Sequence, residues 1–196
     1  MPSLPEIARY FTGAARLMRG HRDGLDRLDL SADGFWRSFA ALVVALPPTM
    51  LSWLEFERVE RAGLHAGRSE MATYSAHALA DLTAWLLPIL VMTVAARRLG
   101  LSKKIVAFVV ATNWGGALLT WLFAPYFLLL MAVGPSEAMQ LVGLLISIAS
   151  IVLTVRLIAA ATAIDIPLSI AITTMMVMAT LLSYAAVSDL FQVPLA

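Results

Sequence analysis

His77 and Asp81 stand four residues apart in an otherwise apolar stretch, a spacing that puts an imidazole and a carboxylate on one helix face within mutual reach. Such a pair can accept a proton or help to hold a cation, because carboxylates inside a membrane often mark relays and ion paths. The plainer alternative is a pair hydrogen-bonded within a bundle, or an Asp81 kept neutral. A charged carboxylate near mid-membrane costs roughly 2.5 to 3.5 kcal/mol on insertion scales, so something must offset it. Trp85 continues the same stripe. At ~1.5 Å per residue from the start of its span, Asp81 lies only ~8 to 14 Å below the surface, where water can reach it. Two ligands at this spacing, without a recognisable third and fourth, do not make a metal site.

Asn113, beside Trp114, Gly115 and Gly116, is the next polar residue inside an apolar run; it can bond across helices or face a cavity, and bonding is the commoner role. Pro47 and Pro48 remove two amide donors from mid-span, so a kink or break is expected there. Broken helices line binding sites in transporters, usually with a matching break in a second repeat, and no internal repeat is evident here. Ala76, Ala80 and Ala84, and likewise Gly143 and Ser147, let a neighbouring helix approach closely. Arg156, near the end of its span, can snorkel to headgroups.

The elements that must position these residues follow from charge spacing. Between Lys104 and Glu137 lie 32 residues with no ionisable side chain, and comparable runs separate Arg37 from Glu55, Glu137 from Arg156, and Asp165 from Asp189. With 196 residues, 60% hydrophobic, 14% charged and a mean hydropathy of +0.83, the chain is an all-α integral membrane bundle. Five spans are expected, at about 36–54, 74–96, 105–126, 138–159 and 167–188, each near the ~20 residues a crossing needs. The 32-residue run makes ~48 Å of helix, too long for one upright span. Pro125, Gly134 and Pro135 are therefore expected to end the third helix and leave an interfacial segment from Tyr126 to Ser136.

Orientation follows from the 14 basic residues, since Arg and Lys beside short loops stay on the cytoplasmic side. An inside N-terminus places Arg9, Arg16, Arg19, Arg22, Arg27, Arg37, the cluster Arg97, Arg98, Lys103 and Lys104, and Arg156 inside, 11 in all. Arg58, Arg61 and Arg68 fall outside, in a loop that also carries Glu55, Glu57, Glu60 and Glu70. Five spans then put the C-terminus outside. Only two of the basic residues are Lys, and Ala and Leu abound, a usage that points to a high-GC bacterial genome and so to the cytoplasmic (inner) membrane. Met1 to His21, with Glu6 and three Arg, does not read as a signal peptide.

Residues 1–34 form a first unit, an amphipathic helix and linker on the cytoplasmic side, and 35–196 the membrane bundle. Ser3 and Glu6 have capping-box spacing, Pro5 suits a first turn and Gly20 is a natural stop. Ile7, Tyr10, Phe11, Ala14, Leu17 and Met18 recur on one face, with Arg9, Arg16 and Arg19 mostly away from it. Such a helix is expected to lie in the inner-leaflet interface, its Arg residues toward lipid phosphates; packing of the apolar stripe against the protein's own cytoplasmic loops is the alternative. Arg97, Arg98, Lys103 and Lys104 are expected to meet the same lipid or a partner. Ser31 or Asp33 can cap the first span. Phe35, Trp36 and Arg37 anchor its inner end, with Trp53 and Phe56 at the outer one.

Asp33, Gly34, Phe35 and Trp36 resemble the acidic, glycine and aromatic run that precedes the first span in eukaryotic Yip1-type membrane proteins, without the Tyr and Pro of that pattern. Five spans behind a cytoplasmic N-terminal segment resemble that family in topology too. The resemblance implies a non-enzymatic protein that organises membranes or recruits others; the eukaryotic relatives are linked to small GTPases and vesicle traffic. No phosphate-cradling glycine loop, zinc-protease helix motif, nucleophile elbow or haem-like His pair occurs, and Cys is absent, so no catalytic residue, metal ligand or cofactor site is assigned. The expectation is an assembly, scaffold or accessory subunit meeting lipids and a membrane-protein partner or further copies of itself, with nucleic acid excluded. The competing expectation is a small transporter or channel built around Asp81, His77, Asn113 and the Pro47 kink.

Overall fold

A computed structural model describes residues 1–61 and 70–192; described side chains stop at Arg58 and resume at Met71, so those of Glu60, Arg61, Arg68 and Glu70 lie outside it. The helices are α1 (Leu4–Met18), α2 (Ala32–Arg37), α3 (Ala40–Arg61), α4 (Glu70–Ala95), α5 (Ile105–Val133), α6 (Glu137–Thr162) and α7 (Ile166–Phe191), with short 3-10 turns at Arg22–Arg27 and Ser102–Lys104. No strand occurs among the described residues. Five stretches are long and apolar enough to cross a membrane: Ala32–Arg58, which runs through α2 and α3, Met71–Ala95, Ser102–Val133, Glu137–Thr162 and Ile166–Phe191. That is the build of a multi-pass membrane protein.

Local chemistry sets most helix ends. The Ser3 N–H and hydroxyl both donate to the Glu6 carboxylate at 2.7 Å, closing the box that opens α1. Ser31 caps α2, its hydroxyl accepting from Gly34 N–H at 3.0 Å, and Asp165 caps α7 by accepting from Leu168 N–H at 3.1 Å. Gly34 allows that first turn to close on Asp29, because a Cβ there would run into the Asp29 carbonyl.

The third span differs from expectation. α5 runs unbroken through Pro125 to Val133, so most of the segment expected to be interfacial, Tyr126 to Ser136, forms its last two turns. In a bilayer no water replaces lost backbone bonds, so continuing the helix beyond one missing donor costs less than opening several. Gly134 ends it at φ 79°, with its N–H on Leu130 O at 2.8 Å, and Pro135 follows. α3 likewise runs through Pro47 and Pro48 without a break. Pro48 leaves the Val44 carbonyl without its usual amide donor, and Trp121 of α5 supplies one, Nε1 to Val44 O at 2.9 Å. The carbonyl that Pro48 frees thus ties two spans together.

The core lies where α1, α3, α5 and α6 meet, around Phe108, Val109, Trp114, Leu157, Ile158 and Leu17. α4 packs chiefly on α7, through the fully buried Ala76 and Ala80 against Val187 and Tyr184. Small residues are what allow that approach, since burial against another helix instead of lipid brings no hydrophobic gain and close van der Waals contact must hold the pair. Gly143 of α6 seats the ring of Tyr126 from the neighbouring α5, whose hydroxyl would lie 2.6 Å from an added Cβ.

The N-terminal segment belongs to this core. Tyr10, Ala14, Leu17 and Met18 are buried on the bundle, with Ile7 and Phe11 packed beside them, so the face expected to lie in lipid is covered by α5 and α6. Tyr10 and Trp114 rings stand 4.6 Å apart, and Met18 reaches toward Gly115. An amphipathic pattern reports that one face needs covering and is silent on what covers it.

Candidate functional site

Asp81 is held from two other helices. Trp53 of α3 donates its indole N–H to Oδ2 at 2.6 Å, and the Tyr184 hydroxyl of α7 donates to Oδ1. The expected bond from His77 is replaced by these two. His77 lies instead between aromatics, its ring 6.1 Å from Trp53 in a stacked arrangement and 5.0 Å edge-on to Phe56, with Nε2 buried and unbonded. Trp53 and Phe56, read from sequence as interfacial anchors, are thus the walls around the His77 and Asp81 turn.

Asn113 is fully buried and completes a chain of bonds between helices. Trp85 Nε1 donates to its Oδ1 at 2.8 Å, its own amide donates to Ser38 Oγ at 2.9 Å, and the Ser38 hydroxyl donates to Phe35 O at 2.7 Å. The ring of Trp85 rests on Gly116, where a Cβ would meet it at 3.3 Å. Of the residues expected around one polar path, Asp81 lines the cavity described next and Asn113 and His77 do not, although Trp53 touches both His77 and Asp81 and Trp85 both bonds Asn113 and lines that cavity.

A cavity of about 370 Å³ opens where α3, α4, α5 and α7 converge, on the seam between the α4–α7 pair and the rest of the bundle. Asp81 and Tyr184 line it on one side, Pro48, Thr49 and Ser52 on another, and Thr120 with Phe123 and Phe127 on a third. Pro47 is exposed and takes no part. Among the described residues no group of three or more His, Asp or Glu is placed to hold a metal ion. The cavity offers a bound group one carboxylate, several hydroxyls and an aromatic wall.

Cations gather at helix C-termini, where carbonyls lack partners and the dipole favours positive charge. Arg156 of α6, expected to snorkel to headgroups, donates from Nε to Met18 O at 2.9 Å and from Nη2 to Arg19 O at 2.6 Å, capping α1. Arg58 donates to Met131 O at 2.6 Å near the end of α5 and faces the buried Glu55 at 3.5 Å. Lys104 Nζ lies 3.3 Å from Ala163 O, just past α6. Arg9, Arg19, Arg97, Arg98 and Lys103 remain exposed, while Arg16 pairs with Asp23 of the first 3-10 turn, Nε to Oδ1 at 3.0 Å. That pairing holds the Asp23 carboxyl below its ordinary value, as the bonds from the Ser3 N–H and hydroxyl do for Glu6.

Tyr184, Ser38 and Trp121 are contributors that the sequence reading passed over. Their signal was general: a Tyr or Trp inside a span needs a partner for its O–H or N–H. Among known proteins, no family model, curated sequence or solved structure matches the chain.

Proposed function

We propose that this chain is a non-catalytic assembly or accessory subunit of a bacterial cytoplasmic membrane, with the N-terminal segment on the cytoplasmic side, in the manner its resemblance to Yip1-type proteins implies. The observation that carries this reading is the docking of α1: its apolar face is covered by α5 and α6, Arg156 caps its end, and Arg9 and Arg19, like Arg97, Arg98 and Lys103, are exposed. A cationic surface fixed rigidly to a bundle suits an acidic partner or anionic headgroups, because no ordering of the segment is needed on contact. Purification from native membranes in gentle detergent should retain a stoichiometric partner. Charge reversal at Arg9, Arg97 and Arg98 together should release it, whereas Asp81→Asn should not; a wild-type protein that purifies alone would sink the reading.

A second reading, passage of a small solute, is favoured by the seam cavity and its carboxylate. Its test is flux into proteoliposomes, which Asp81→Asn should abolish while the protein stays folded.

A further inference from the structure

The seam cavity carries a specific chemistry. Among the described residues no Arg or Lys lies against Asp81, their salt bridges being Arg16–Asp23 and Arg58–Glu55. Its neighbours Trp53 and Tyr184 contribute dipoles and no charge. Asp81 is half-buried, and a carboxylate drawn out of bulk water is ordinarily paired with a cation, because desolvation without a counter-charge is expensive. A bound cation can supply that partner.

The rest of the lining says what kind of partner. Each hydroxyl whose bond is known already directs its proton away: Thr49 to Ala45 O at 2.9 Å, Ser52 to Thr49 O at 2.7 Å, Thr120 to Gly116 O at 2.9 Å and Tyr184 to Asp81. Trp85 Nε1 is likewise engaged by Asn113. These oxygens therefore face the cavity as acceptors, so a bound group has to bring the N–H bonds and the positive charge itself. An anion would meet a carboxylate and no free donor among these groups. A bare metal ion or a few waters would underfill about 370 Å³, which lies at the small end of the ~300–1,000 Å³ typical of organic-ligand pockets. Phe123, Phe127 and Trp85 give a carbon body and a cation aromatic faces to lie against.

We propose that this cavity binds a small organic ammonium, its N–H groups on Asp81 and on the Thr49, Ser52 and Thr120 oxygens, its carbon chain against Phe123 and Phe127. Occupancy goes beyond the assembly reading and stands without it. It names the solute class for the passage reading, yet binding at equilibrium does not require passage.

The test is equilibrium titration of the purified full-length protein in nanodiscs with n-butylammonium chloride, followed by calorimetry and by Trp fluorescence, which Trp53 and Trp85 should report. Tetramethylammonium, which has charge without N–H, and sodium serve as comparisons at constant ionic strength. Butylammonium should saturate and bind about tenfold or more tightly than either, as a charge-assisted hydrogen bond of ~1.5–3 kcal/mol implies. Asp81→Asn should weaken it by a similar factor. Ala84→Leu narrows the cavity while leaving both Asp81 bonds in place, and should also abolish saturation; it decides the matter if Asp81→Asn fails to fold. A linear, unsaturating response in the wild type, equal binding of tetramethylammonium or sodium, or undiminished binding by Ala84→Leu would each overturn the proposal. Saturable binding without proteoliposome flux would remove passage and leave the site intact.

Discussion

Asn113 and Asp81 are two polar centres of one membrane bundle, and each receives an indole N–H from the preceding span, Trp85 in one case and Trp53 in the other. They differ in what they can give back. An amide both accepts and donates, so Asn113 passes a bond on to Ser38 and the chain ends on the Phe35 carbonyl with every partner satisfied. The Asp81 carboxylate takes bonds from Trp53 and Tyr184 and passes none on, and it faces a cavity with no Arg or Lys against it among the described residues. The first centre is a joint between helices, closed on itself. The second is open to a guest. Polarity does not distinguish them; donor and acceptor balance does.

The largest effect should come from breaking the joint. Asn113→Leu leaves the Trp85 N–H without an acceptor in a buried place, and unfolding in mixed micelles should show a loss of about 1–3 kcal/mol. Asp81→Asn keeps the volume and should cost less than that; a larger cost at Asp81 would erase the distinction between joint and open site. Next in size is Arg156→Met, which removes two charge-assisted bonds to the end of α1. It should act locally, raising hydrogen exchange or proteolysis across residues 4–18 while the melting of the five long helices changes little. A uniform loss of stability would mean that α1 and the bundle unfold as one unit.

The smallest effect sits on the exposed Arg16–Asp23 pair, the surface counterpart to both buried centres. Its folded carboxyl value lies below the ordinary one, so its contribution is fully present above about pH 4 and is lost as pH falls through the depressed folded value. Protection of the N-terminal segment should hold steady from neutral pH to about 4.5 and decline below that. Salt should blunt the change, and Asp23→Asn should flatten it. A decline centred near neutral pH would assign the effect to a histidine.

Legibility tracked distance along the chain. The Ser3–Glu6 box is a matter of one helical turn, and it stands as the spacing predicts. The five long apolar helices are equally plain, because charge-free length is itself the signal. Asp81 shows where this stops: the readable partner was His77, one turn away, whereas the actual donors lie 28 and 103 residues off on α3 and α7. Nothing local specifies which faces of two spans meet. Pro125 misled for the opposite reason, since a sound local rule was overridden by the cost of opening backbone bonds in lipid. The α1 face was read correctly as needing cover, but lipid and the flank of α5 present the same apolar chemistry to it.

The docking of α1 also imposes an order on biosynthesis. Its C-terminal cap is donated from a residue 138 positions further along the chain, so the segment made first cannot settle until α6 has been made and placed. At ~5–20 residues per second, that interval is roughly 7 to 30 s during which Tyr10, Leu17 and Met18 lack their seat. Placement of α6 is thereby recorded at the N-terminus. Chains arrested before Arg156 should show residues 4–18 open to protease in isolated membranes, and chains arrested beyond Thr162 should not.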